Sequence, residues 1–183
     1  MPKGISLGVP AGRRGCLLLL LSSLLTAACG GPGKPATPVA ERVCEGARTA
    51  AARELGYPTG TQVLSRDPVN VSCVVNGRGP LQVRIVTQTG SQAYTEFDTE
   101  TSHQDQVYGA GIHEPGQIPQ AIEVRGTVAV WIPAQREVVA TDAEPGRGGT
   151  YVTVTVSGAA GTAALRLAQV ITRATFAARP GLP

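Results

Sequence analysis

The sequence predicts an α+β domain, built on an antiparallel sheet of about five strands with helices packed mainly on one face. Three observations predict it. Apolar residues recur at helical spacing in two segments, near residues 38–55 and 162–178. Between them, several short runs alternate apolar and polar side chains with period two, as half-buried strands do. The connections between those runs are rich in Gly and Pro, the chemistry of turns.

The first helix opens at Thr37-Pro38, with Thr37 suited to the N-cap and Pro38 to the first helical position. Glu41 favours the positive end, Gly56 fits the C′ site and Pro58 prevents continuation. Ala40, Val43, Cys44, Ala47, Ala51 and Leu55 fall on one stripe, so Cys44 faces the core.

Val69, Val71, Cys73 and Val75 then share one strand face, with Asn70, Ser72 and Asn76 on the other. Asn76-Gly77-Arg78-Gly79-Pro80 is a turn, and Leu81, Val83, Ile85 and Thr87 alternate after it. Residues 91–106 fit two patterns. Ala93, Tyr94, Phe97 and Thr101 would line a helical stripe, while the threonines suit a strand; the length of the run and its polar side favour helix. Residues 107–120 carry Gly109, Gly111, Pro115, Gly116 and Pro119 and read as a long loop, a common place for function. Ala121–Ile132 reads as one strand, Glu137–Thr141 as its return, and Val152, Val154 and Val156 mark another. Thr162 would cap a closing helix that runs to about Ala178, with Leu165, Ala168, Ile171 and Phe176 as its apolar stripe.

The leader has its own grammar. Lys3, Arg13 and Arg14 precede an apolar run from Cys16 to Ala28, shorter than the roughly 20 residues of a transmembrane helix. This is signal-peptide anatomy over residues 1–28. Thr26-Ala27-Ala28-Cys29 resembles the lipobox of bacterial lipoproteins, which implies a lipidated Cys29 held at a membrane by two acyl chains. Thr26 stands where that motif usually has Leu, and the plainer alternative is a secreted chain with Cys29 as a free or disulfide-bonded thiol. Arg13-Arg14 lacks the following residues that twin-arginine export favours. Residues 29–37 are a Gly/Pro tether reaching at most about 25–30 Å, and residues 38–180 are read as one domain.

The net charge of +3 belongs entirely to Lys3, Arg13 and Arg14; from Cys29 onward the charges balance. Charge therefore gives no reason to expect nucleic acid as a partner. With Cys16 in the leader and Cys29 in the lipobox, Cys44 and Cys73 remain, and an exported pair on two inward faces points to a disulfide.

The order of these features resembles that of a family of small, uncharacterised actinobacterial lipoproteins. The residues that carry the resemblance are Cys29, Cys44, Cys73, the segment Gly126-Thr127-Val128-Ala129-Val130-Trp131-Ile132-Pro133, then Val138-Val139-Ala140-Thr141-Asp142, the valine strand and the Ala-rich closing helix. The resemblance implies an α+β domain on the outer face of a membrane and carries over no catalytic residue.

No nucleophile-base-orienter motif and no phosphate loop occurs, so no catalytic residue and no cofactor are assigned. Glu96, Asp98, Glu100, Asp105, Glu114 and Glu123 share a stretch free of Lys and Arg with His103 and His113. Their spacing matches neither a helical metal pair nor a calcium loop, and a solvated polar face is the plainer reading. Trp131 lies on the opposite strand face from Val128, Val130 and Ile132. It either fills a minor core under the long loop or, beside Pro133, anchors a ligand or partner. The expected contact surface is thus Trp131, Pro133, Tyr108 and His113, and the expected partners are the membrane, through Cys29, and an envelope protein or small ligand. The alternatives are an envelope hydrolase using the acidic and histidine segment 96–114, or a structural envelope component.

Overall fold

In the computed structural model, residues 37–109 and 118–179 are described, with side chains for 37–103 and 118–179. The expected leader, Cys29 and its tether up to residue 36, and His113 lie outside the described residues.

The helix α1 spans Val39–Leu55. Pro38, at φ −52 and ψ 145, is still extended and serves as the N-cap, so the helix starts one residue later than expected and Thr37 does not cap it. The Pro38 carbonyl accepts the first helical bond, from the Arg42 N–H at 3.1 Å. The expected stripe holds, with Ala40, Val43, Cys44, Ala47 and Ala51 buried, and Gly56 closes the helix in the left-handed region.

The strands β1 (Gly60–Arg66), β2 (Asn70–Asn76) and β3 (Gln82–Gly90) follow as an antiparallel meander. β2 and β3 bury the expected alternating residues, although Val69 precedes β2 and is exposed. Next come α2 (Ala93–Gly109), then β4 (Gln120–Val124), β5 (Thr127–Ile132), β6 (Glu137–Thr141), β7 (Gly149–Ser157) and α3 (Gly161–Ala178). Among the described residues all strands join one seven-stranded sheet in the order β1-β2-β3-β7-β6-β5-β4, with every pairing antiparallel.

The strand number corrects the expectation of about five in two places. β1 is an edge strand whose residues are exposed or half-buried, with an irregular register between Val63 and Ser65, so it shows no clean alternation. The single strand expected over 121–132 is a hairpin: Val124 pairs with Thr127, and Gly126 turns the chain at φ 76, a conformation that favours glycine. The helical reading of residues 91–106 holds, and α2 continues to Gly109, so the loop expected from Val107 does not begin there.

Two helices share one face of the sheet. α1 and α3 pack on each other and on Val71, Cys73, Val75, Val83, Ile85, Val152, Val154 and Val156. Arg42 Nε ties them by donating to the Ala178 carbonyl at 3.4 Å. Cys44 of α1 and Cys73 of β2 meet inside this layer as a disulfide, their Cα atoms 5.9 Å apart. α2 lies on the other face, over β7, β6 and β3, where Phe97 meets Ile132 and Val139. α3 follows β7 through Gly158 at φ 77, where any Cβ would run into the Pro80 carbonyl. The buried stripe of α3 is Ala164, Leu167, Ala168, Ile171, Thr172 and Thr175, with Leu165 and Phe176 half-buried at its margins. Among the described residues no helix is long and apolar enough to cross a membrane.

Candidate functional site

Residues paired directly across neighbouring strands share a face. One such row runs from Cys73 through Ile85, Val154 and Val138 to Trp131, and ends at Gln120 on the β4 edge. All of these residues face α1 and α3. Trp131 is only 5% exposed and belongs to the main core beneath those helices, not to a minor core under a loop. The strand face assigned to it from the alternation was correct, but helix packing decides what covers that face.

The covering is incomplete where α3 begins. A cavity of about 360 Å³ opens there between Trp131, Pro133 and Leu165 on its apolar side and Gln120, Arg136 and Thr162 on its polar side, with Gly161 at the helix start. Pro133 closes β5, and the turn it begins is held by two backbone bonds. Gln135 donates to the Ile132 carbonyl and Arg136 to the Pro133 carbonyl, each at 3.2 Å. Arg136 takes φ 53, a left-handed conformation uncommon for a residue with a side chain, and its carbonyl accepts the Val156 N–H at 2.9 Å. The turn is thereby fastened to β7, and Arg136 stays exposed at the mouth of the cavity.

Thr162 does not cap α3. The N-cap is Ala160, extended at φ −138 and ψ 163, and the first turn carries no acidic residue. Arg136 is the one charged residue lining the cavity, and the amide dipoles at the start of α3 have the same sign. The cavity therefore suits a small group with an apolar edge and a neutral or negative polar end. Of the four residues expected to form a contact surface, the structure brings together Trp131 and Pro133. Tyr108 lies in α2, with its side chain outside the described set, and His113 lies outside the described residues. Sequence reasoning missed Arg136, Gln120 and Leu165. A Pro-Ala-Gln-Arg turn between two strands was the one available hint.

A second group of polar side chains lies on the opposite face of the sheet, the face that α2 covers. Thr155 Oγ1 of β7 donates to Glu137 Oε2 of β6 at 2.5 Å. Burial raises the pKa of Glu137; the Thr155 bond works against that rise, Glu100 adds to it and Arg84 opposes it. Burial likewise pushes the Tyr151 phenol up, and the charges of Glu100, Glu137 and Glu96 push the same way. His103 is exposed on α2. Among the described residues no three His, Cys, Asp or Glu side chains gather as a metal site.

Comparison with protein-family models gives no match, and comparisons with curated proteins and with solved structures give none either.

Proposed function

We propose that this chain is an extracytoplasmic lipoprotein, exported by its leader and anchored through Cys29, of the small actinobacterial type that its motif order resembles. Its folded domain is a binding or adaptor module that contacts an envelope protein or a small ligand. The observation that carries the binding reading is the cavity at the start of α3, where the buried Trp131 and the half-buried Pro133 and Leu165 meet the exposed Arg136. Residues 29–37 can reach at most about 25–30 Å, so the anchor proposed at Cys29 would keep the domain near the membrane.

Cross-linking in intact cells tests the reading. The tagged wild type is compared with Arg136→Glu, which reverses the cavity charge, and Thr162→Phe, which narrows it. Both positions are exposed, so neither change removes core packing. A specific cross-linked partner, or a retained small molecule, that is present in the wild type and lost in both variants is the expected outcome. Identical profiles in all three proteins would favour a structural envelope role. Labelled-palmitate incorporation that disappears in Cys29→Ser is expected for the anchor.

A further inference from the structure

Helix α2 is held to the sheet unlike the other two. α1 buries Ala40, Val43, Cys44, Ala47 and Ala51 and is also covalently joined to β2. Among the described side chains of α2, only Ala93 and Phe97 are buried. The Phe97 ring rests on Ile132 and Val139, with Val130 and Tyr151 beside them. Polar and charged groups act on Glu137 and Tyr151 beside this contact. Glu96 and Glu100 come from α2, Glu137 from β6, Arg84 from β3, and the neutral Tyr151 phenol and the Thr155 hydroxyl from β7. Glu137 is half-buried here: it pairs across the strands with Ile132, on which Phe97 rests, and it accepts from Thr155.

We infer that α2 is a pH-dependent flap, closed on β3, β6 and β7 when Glu137 is protonated and loosened when Glu137 ionises beside Glu100. Opening returns Glu137 to water, where its carboxyl has an ordinary pKa. Closing withdraws it from water, which favours the neutral form. The closed state thus binds the Glu137 proton more tightly than the open one. Its extra stability is fully present below the ordinary carboxylate range and is lost as pH rises through the raised value of Glu137. Tyr151 stays neutral throughout that window and takes no part in the switch. Opening would uncover Ile132 and Val139, an apolar patch on the face opposite the disulfide.

Hydrogen exchange on the full chain between about pH 4 and pH 8, corrected for intrinsic rates, tests this directly, with α1 and α3 as internal references. The protection of α2 should fall across that range by roughly tenfold for each unit separating the closed and open pKa values of Glu137, while α1 and α3 hold theirs. Glu137→Gln keeps an acceptor for Thr155 without the charge and should leave α2 protected and flat with pH. Glu100→Gln should shrink the fall. The inference is overturned if α2 protection ignores pH in the wild type. It is equally overturned if Glu137→Gln or Glu100→Gln shows the full wild-type fall, or if α1 and α3 lose protection in step with α2.

Discussion

At the scale of single residues, Glu137 and Tyr151 differ from their neighbours because a strand position that alternation marks as polar is half-covered by a helix. Tyr151 has a clear alkaline consequence. Its native pKa is raised, so above about pH 10 the unfolded chain ionises while the folded one does not. Stability is therefore unaffected below that point and declines above it. Denaturant titrations from pH 8 to 11 should show the wild type losing stability relative to Tyr151→Phe, with the two converging at neutral pH apart from a constant offset. A constant difference at every pH would mean that Tyr151 ionises equally well in both states. Trp131 shows the other side of residue-scale reasoning. Its strand face follows from alternation, but its burial in the main core follows only from where α3 lies. It shapes the cavity wall and is not free to act as a projecting anchor.

At the scale of elements, α1 and α3 form one packed layer, tied to the sheet by the disulfide of α1, while among the described residues α2 covers the other face. α1 and α3 were legible because each carries a full apolar stripe with terminal punctuation. α2 was ambiguous because, among its described side chains, only Ala93 and Phe97 are buried, which leaves little periodic signal there to set against a run of threonines. The same thinness makes its attachment separable. Phe97→Ala should cost about 3 kcal/mol, the lower end for a buried aromatic, and the loss should be confined to α2. Hydrogen exchange would then show α2 opening while the amides of α1 and α3 keep their protection. A global loss of protection would instead make α2 part of the same cooperative unit as the disulfide layer. β1 and the β4–β5 hairpin were the unread elements. β1 is an exposed edge with an irregular register, and the hairpin turns on Arg125 and Gly126 alone, a short interruption in a run dominated by strand-forming residues.

At the scale of the whole molecule, the Cys44–Cys73 disulfide closes a segment with a sequence separation of 29 and joins the first helix to the sheet. Loop-closure entropy puts its contribution at roughly 3–4 kcal/mol. A Cys44→Ala, Cys73→Ala double variant should unfold at correspondingly lower urea under oxidising conditions, and the gap from wild type should largely close once both are measured in reductant. An unchanged midpoint would mean that layer packing alone sets the stability of the molecule. By itself the sequence determined the α+β class, the inward face of α1, the alternation of β2, β3 and β7, and which two cysteines could meet, because helical and strand periodicities are local signals. Only the tertiary structure decided that α1 and α3 share one face while α2 takes the other. It also decided that Arg136 reaches the start of α3 beside Trp131, and that the charge of Glu100 on α2 acts on the half-buried Glu137 of β6. Each of these joins residues far apart in the chain, and burial between layers is set by how the elements stack, which no local pattern encodes.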